Sequence, residues 1–176
     1  MKKVFLLTAI AGIFAFSNVN AQKKDPAMNG PKLGIGAEFA FPVGNFGDFQ
    51  NFGYGGSLNY QHPVAPNLNL TGSAGYINFQ SKDLPFVGKV NSGFIPVKAG
   101  ARYFLAENFY VNGELGASFA TGSNNSGTAF VYSPGIGVEF PVSDKASVDL
   151  GGRYEGWSNN GTASFFGIRA AFNFGL

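Results

Sequence analysis

The stretch FFGIRAAFNFGL, residues 165–176, decides the fold class because its side chains alternate with a period of two. One set of positions is apolar and mostly bulky, whereas the positions between them are small or polar and include Arg169. Such alternation is typical of a β-strand with a different environment on each face. A transmembrane barrel directs its bulky residues toward lipid and its polar residues toward the lumen. The stretch therefore predicts the last strand of a closed barrel, paired with the preceding strand and with the first.

The same alternation recurs in seven earlier segments, so the sequence predicts eight strands of about ten residues, the length that a tilted strand needs to cross a bilayer. Their connections alternate in length, as do the short periplasmic turns and longer outer loops of bacterial barrels. We therefore predict an all-β fold, an eight-stranded antiparallel up-and-down transmembrane β-barrel. The predicted strands are 33–41, 54–61, 68–76, 95–105, 109–119, 130–140, 148–155 and 166–176, and the predicted longer loops are 42–52, 78–93, 121–128 and 157–162.

Aromatic residues on the predicted outward face concentrate near the strand ends, and aliphatic or small residues occupy the middles. A general preference of aromatic residues for strands would not keep them out of the middles. Two aromatic belts around an aliphatic band are typical of a membrane barrel. Pro96 and Pro134 fall within predicted strands, where a closed barrel has no free edge for a missing donor. We expect a bulge or a strand end at both prolines.

The N-terminal residues have the features of a secretory signal peptide: Lys2 and Lys3, an apolar run over 4–16, and a small residue at Ala21. The run is shorter than the roughly 20 apolar residues of a membrane-spanning helix. We expect cleavage after Ala21, a flexible periplasmic lead-in over 22–31 and the barrel over 32–176. Without the two lysines, the 12 Lys+Arg fall to 10, equal to the 10 Asp+Glu, so the charge balance predicts no nucleic acid partner.

The sequence offers little material for catalysis or for a cofactor. It contains no cysteine, and its one histidine, His62, falls in a predicted periplasmic turn over 62–67. A lipid-modifying enzyme of the outer membrane needs a histidine near the outer leaflet to activate a nucleophile, and histidine-based zinc sites need more than one. We therefore predict a protein that is not an enzyme, with no catalytic residue, cofactor or metal site.

Nine charged residues fall on the predicted lumen face, and their signs nearly balance. An eight-stranded barrel is just wide enough for side chains to fill. The favoured interpretation is an ion-pair network centred on Glu114. If Leu105 pairs with Phe109, Glu114 lies across from Gly100, between Lys98 and Arg102 on the neighbouring strand. The alternative is a narrow pore or a proton relay. The residues are Glu38, Lys98, Arg102, Glu114, Glu139, Asp149, Arg153, Glu155 and Arg169.

Two segments, FPVGNFGDF at 41–49 and NLNLTGSAGY at 67–76, look like the first loop and third strand of a known family. Together with the strand pattern, they give the sequence over 31–176 a resemblance to the small outer-membrane β-barrel family, the OmpA/OmpX-like group also labelled porin family. The resemblance implies a Gram-negative outer-membrane location, contact with outer-membrane lipid and recognition by the assembly machinery through the C-terminal strand. Such barrels commonly end in Phe, whereas this sequence ends in Leu176 and places Phe174 two residues earlier.

We expect a monomer with a structural or surface-interaction role carried by its outer loops. Any partner binding is expected in the loop over 78–93, through Leu84, Phe86 and Val87, although the sequence does not identify the partner. The alternatives are a narrow porin-like channel or transport of a small apolar ligand and, with less support, a lipid-modifying enzyme. A soluble lipocalin-like binder would need charged outward positions, and the outward sets contain none.

Overall fold

A computed structural model describes residues 30–82, 91–122, 127–159 and 161–176. These residues form eight strands and one short helix, and the predicted signal peptide and almost all of the predicted lead-in lie outside them. The elements are β1 (Lys32–Val43), α1 (Gly44–Phe49), β2 (Gln50–Ala65), β3 (Leu68–Ser81), β4 (Asn91–Phe104), β5 (Phe109–Ala120), β6 (Thr128–Ser143), β7 (Ala146–Ser158) and β8 (Thr162–Gly175).

The strands form a closed antiparallel barrel in which each strand pairs with its neighbours in sequence and β8 pairs with β1. The predicted eight-stranded fold is therefore confirmed. Starting at Leu33 and moving from each residue to its paired residue on the next strand, one turn around the barrel ends on β1 at Val43, ten residues after the starting point. This stagger corresponds to strands tilted by about 40°. The path runs through Tyr60, Gly72, Ala99, Leu115, Tyr132, Gly156 and Ser164.

Inward and outward side chains alternate as the sequence predicts. In β1, Ile35 is exposed on the outer face and Glu38 is buried in the lumen; in β4, Val97 is exposed and Lys98 is buried. Seven of the eight strands, β1–β6 and β8, expose large aliphatic or aromatic side chains, so the barrel presents an apolar outer surface and a polar lumen.

The two ends of the barrel differ in the connections between their strands. At one end, which we call the turn end, the strands are joined at 66–67, 105–108 and 144–145. At the other, the loop end, the connections are α1, 82–90, 121–127 and 159–161. None of the helices in the described ranges is long and apolar enough to cross a membrane.

The strands extend further than predicted at both ends. The predicted turn over 62–67 shrinks to Pro66 and Asn67, because His62 and Pro63 continue the pairing of β2 with β3. Asn67 takes the left-handed φ of 62° that so tight a turn requires. At the loop end, β3 continues to Ser81 and β2 begins at Gln50, so 78–81 and 50–52 belong to strands, and α1 occupies part of the predicted loop over 42–52.

The expected bulge at Pro96 and Pro134 is wrong. The pairing of β3 with β4 has one register on both sides of Pro96, although two successive pairs of residues there are not bridged. A gap of the same size interrupts the pairing of β6 with β7 at Pro134. Each proline keeps its pairing with β5, opposite Ser118 and Gly113. The missing donors are thus accommodated by two local interruptions of hydrogen bonding, without a shift of register.

Candidate functional site in the barrel lumen

All nine charged residues predicted to face the lumen do so, and Lys32 at the start of β1 joins them. We call these ten residues the lumen network. They divide into a group nearer the loop end, with two cations and three carboxylates, and a group nearer the turn end, with three cations and two carboxylates. The first contains Glu38, Lys98, Glu114, Arg153 and Glu155, and the second contains Lys32, Arg102, Glu139, Asp149 and Arg169.

Glu155 on β7 receives the largest number of donors in the first group, and it is fully buried. Its Oε2 atom lies 2.9 Å from Lys98 Nζ and 2.6 Å from Arg153 Nε. Its Oε1 atom accepts a hydrogen bond of 2.8 Å from Trp157 Nε1. A carboxylate removed from water requires this many donors, because an unpaired buried charge is very costly.

Arg153 joins Glu155 to a second carboxylate. Its Nη1 atom lies 2.6 Å from Glu38 Oε2, and Ser57 donates a hydrogen bond of 2.6 Å to the other oxygen of Glu38. The arginine can cross the lumen because it lies over Gly167 of β8, where a Cβ atom would collide with the guanidinium carbon. The glycine on the inward face thus supplies the space that the long side chain occupies.

Glu114 has a smaller role than predicted. It lies opposite Gly100 in the β4–β5 pairing, as the sequence implies, and its carboxylate is 3.4 Å from Lys98 Nζ. Its other partners are the hydroxyl groups of Thr71 and Ser73. The predicted position between Lys98 and Arg102 is wrong, because the arginine extends across the lumen to β6 and β7 instead of along the β4–β5 pair.

Arg102 is the centre of the second group. Its Nη1 atom lies 2.7 Å from Glu139 and 2.5 Å from Asp149, and the side chain is 2 % exposed. The guanidinium carbon lies 3.8 Å from the centroid of the Tyr110 ring, within the range of a cation–π interaction. The Tyr110 hydroxyl donates a hydrogen bond of 2.8 Å to Asp149. Phe104 packs edge-on against the same ring and borders the group on the side of the turn end.

Lys32 and Arg169 complete the second group from β1 and β8. Lys32 Nζ lies 2.7 Å from Glu139, which also accepts a hydrogen bond from Ser147. Arg169 lies 3.7 Å from Asp149 and donates to the side-chain oxygen of Asn59. The sequence analysis did not include Lys32, although it lies two residues before Gly34 and therefore on the same inward face of β1.

An apolar cluster, which we call the aromatic plug, fills the lumen between the network and the loop end. Its rings lie edge to face: the Phe79 centroid is 5.4 Å from that of Phe165 and 5.8 Å from that of Trp157. Phe46 of α1 packs against Phe79 at 5.0 Å, and Phe94 packs against Trp157 at 4.9 Å. The plug consists of the buried residues Ala40, Ile77, Phe79, Val131, Trp157 and Phe165.

The plug draws side chains from β1, β3, β6, β7 and β8, so it spans the barrel cross-section. The ring of Phe79 occupies the place where a Cβ atom at Gly53 of β2 would sit. Sequence reasoning missed this cluster because Phe79 and Trp157 fall in stretches predicted as loops. Continuing the alternation three residues beyond Tyr76 and two beyond Glu155 would have identified both as inward-facing.

A cavity of about 370 Å³, which we call the mouth cavity, lies above the plug at the loop end. Phe94 and Trp157 form part of its floor, and Phe46 and Phe49 of α1 contribute to its wall. Ser118 of β5 also lines it, and in the part of the chain that the structure describes its buried hydroxyl has no hydrogen-bond partner. The other lining residues are Asn45, Ala120, Gly127, Ala129, Asn159, Gly161, Thr162 and Ala163.

Of the predicted partner-binding residues and the single histidine, the structure describes only the histidine. Leu84, Phe86 and Val87 lie outside the described residues. His62 is on the outer surface near the turn end, where its Nδ1 atom is 3.2 Å from the Tyr60 hydroxyl. Within the described ranges, no group of three or more His, Cys, Asp or Glu residues is arranged to hold a metal ion.

Comparison with solved structures identifies several similar barrels. Neisserial surface protein A has a TM-score of 0.60 at 12 % identity, covering 83 % of this chain and 97 % of its own. OprG from Pseudomonas aeruginosa has a TM-score of 0.57 at 13 % identity, covering 82 % and 95 %. Ail, the attachment invasion locus protein of Yersinia pestis, has a TM-score of 0.55 at 18 % identity, covering 84 % and 100 %. At these identities the likeness shows a common fold.

A search of curated proteins found no match to this sequence. The model of one protein family, described as the outer membrane protein beta-barrel domain, matches residues 6–174, which is nearly the whole chain. The match agrees with the closed eight-stranded architecture and with the apolar outer surface. The chain belongs to the outer membrane protein beta-barrel domain family, and it is a protein of the bacterial outer membrane.

Proposed function

We propose that this protein is a non-conducting, non-enzymatic barrel whose role is a surface interaction made at its loop end. The observation that carries the proposal is the filled lumen. Every charged group of the lumen network has an oppositely charged partner within 4 Å, and the aromatic plug lies between that network and the loop end. A lumen so occupied supports a barrel that does not conduct ions steadily.

The loop end has the properties of a displayed surface on a rigid support. Phe46 fixes α1 to the plug, while Phe49 of the same helix is 60 % exposed. Binding residues are commonly placed on loops held by a rigid scaffold. The proteins of similar fold include one described as a surface protein and one described as an attachment protein, and both descriptions support a role of this kind.

Planar-bilayer recording of the purified wild-type protein tests the closed lumen. We expect no stable open state in bilayers where an open porin, added as a control, conducts. A stable, ohmic, ion-selective open state in the wild type would overturn the proposal in favour of the narrow channel.

Cysteine labelling tests which end faces outward, since the sequence contains no natural cysteine. Asp48→Cys places an exposed thiol on α1, and Asp144→Cys places one in the β6–β7 turn at the opposite end. With a membrane-impermeant maleimide on intact cells, we expect labelling of the first variant and labelling of the second only after lysis. The reverse pattern would place the loop end in the periplasm and exclude a surface role for it.

A further inference from the structure

We propose that the mouth cavity is a binding site for an uncharged, aromatic small molecule that carries one hydrogen-bonding group. The proposal concerns a ligand site and goes beyond the surface role of the loops, because the cavity lies inside the barrel rim. Its volume of about 370 Å³ is within the range of small-molecule sites.

The walls determine the class of ligand. Four aromatic side chains line the cavity, namely Phe46, Phe49, Phe94 and Trp157. Rings arranged around a space favour a planar aromatic occupant, which can stack on one ring and meet the edge of another. None of the side chains that the structure describes in the lining is charged. A charged ligand would therefore lose its hydration without gaining an ionic partner from these residues.

Ser118 gives the site one polar requirement. The residue is 1 % exposed, and its hydroxyl has no hydrogen-bond partner among the described residues. Buried polar groups in proteins are nearly always paired, so an orphaned hydroxyl at the edge of a cavity indicates a missing partner. The hydroxyl is covered in this conformation. If it rotates toward the cavity, an occupant with one hydroxyl or carbonyl group supplies that partner, whereas a pure hydrocarbon does not.

The floor of the cavity bears on whether the ligand is held at the loop end or passes through the barrel. Trp157 and Phe94 belong to a packed layer of rings, and the indole N–H is held by Glu155 of the lumen network below. The buried plug residues, which come from five strands, lie between this floor and the network. The geometry thus indicates a site that holds its ligand at the loop end and does not pass it through the barrel.

The single tryptophan of the sequence, Trp157, is a built-in reporter for the site. We would titrate the full-length barrel in lipid nanodiscs with 2-naphthol, whose absorption overlaps tryptophan emission, and follow quenching. Naphthalene and 2-naphthalenesulfonate then serve as competitors. We expect saturable quenching, displacement by naphthalene with an affinity about threefold to tenfold weaker than that of 2-naphthol, and no displacement by the sulfonate.

Two kinds of variant separate the site from partition into lipid. Ala163→Phe fills the cavity and is expected to weaken 2-naphthol binding at least about tenfold. Ala101→Phe makes the same change on the lipid face and should have no effect. Ala129→Leu replaces the first variant if that protein does not fold. In Ser118→Ala, the preference for 2-naphthol over naphthalene should disappear while naphthalene still binds.

Several results would overturn the proposal. Quenching that does not saturate, or that is equal in the filled-cavity variant and in the lipid-face control, would show that the probe is dissolved in the bilayer. Displacement by the sulfonate would contradict the uncharged class of ligand. An unchanged preference for 2-naphthol in Ser118→Ala would show that the Ser118 hydroxyl does not bond to the ligand.

Discussion

The lumen network and the aromatic plug occupy the same inward face of the same barrel, yet they fill it by opposite means. The network places ten charged side chains in the lumen and satisfies them with ion pairs and hydroxyl donors. The plug uses six apolar residues, three of them with large aromatic rings. The network lies away from the loop end, and the plug lies between it and the mouth cavity.

This difference teaches how a narrow lumen is closed. Charged side chains are long and can cross the barrel, but each must find a partner, so their arrangement is specific and sensitive to loss of one member. Rings exclude water without needing polar partners, and a loss can be absorbed by movement of their neighbours. We therefore expect variants of the network to fail by charge imbalance and variants of the plug to fail by loss of packing.

The largest expected effect is that of Arg153→Met in the network. The change leaves Glu38 without a cationic partner and leaves Lys98 as the remaining cation among three carboxylates. Loss of one partner from a buried ion pair costs about 3–5 kcal/mol. Urea unfolding in lipid vesicles would measure the change. Adding Glu38→Leu should recover part of the stability, and a double variant no more stable than the single one would contradict the charge-imbalance explanation.

Phe79→Ala in the plug is expected to cost about 3 kcal/mol, the lower end for removal of a buried ring, because the mouth cavity above gives the neighbouring rings room to move. The same unfolding assay applies, and Trp157 emission should shift to longer wavelength as water enters. Phe79→Leu is the control and should recover most of the loss. A cost near zero would show that the plug contributes little to stability.

Glu155→Gln tests whether the most heavily bonded carboxylate is also the most important. Lys98 keeps Glu114 and Arg153 keeps Glu38 after the change, so both cations remain paired. We expect a cost of about 1–3 kcal/mol, from weakened hydrogen bonds alone. A loss equal to that of Arg153→Met would mean that the number of donors, and not the charge balance, controls the stability of the network.

The smallest effect is expected for Tyr110→Phe, which removes one hydroxyl and keeps the ring beneath Arg102. Asp149 retains its ion pair with Arg102, so the expected cost is about 1 kcal/mol. Tyr110→Leu, which also removes the ring face, should cost more in the same assay. Equal costs in the two variants would indicate that the ring contributes nothing to holding the guanidinium.

The number of strands, the face on which each side chain lies and the register of neighbouring strands could be predicted from the sequence, because each depends on local information. The period of two fixes which side chains share a face, and the alignment of Leu105 with Phe109 fixes Gly100 opposite Glu114. The pairing of charges was not accessible. Carboxylates on three strands are candidate partners of Arg102, which pairs with those on β6 and β7. Which of them it reaches depends on the width and stagger of the lumen, and these follow from closure of the whole barrel.

The plug was hidden for a different reason. Asn78 and Gln80 interrupt the outward apolar pattern after Tyr76, and Trp157 is followed by Ser, Asn and Gly, so these stretches have the composition of loops. The strands nevertheless continue, because pairing with a neighbour already in place overrides weak local preference. Position along the barrel, which decides whether an inward ring lies in the plug, is likewise a property of the assembled sheet.

The seam between β1 and β8 has a consequence for how the barrel is made. The other seven seams join strands that are consecutive in sequence, whereas this one joins Lys32 to Gly175 across almost the whole folded length. Contacts so distant along the chain form slowly, since closing a long loop has an entropic cost before any pairing is gained. Until that step, both edges expose unpaired backbone groups that invite association with another chain. Lys32 and Glu38 meet their partners on β6 and β7 only after closure. Neutralisation of Lys32 and Glu38 is therefore a late folding event, and the open sheet carries these two charges without their ion-pair partners.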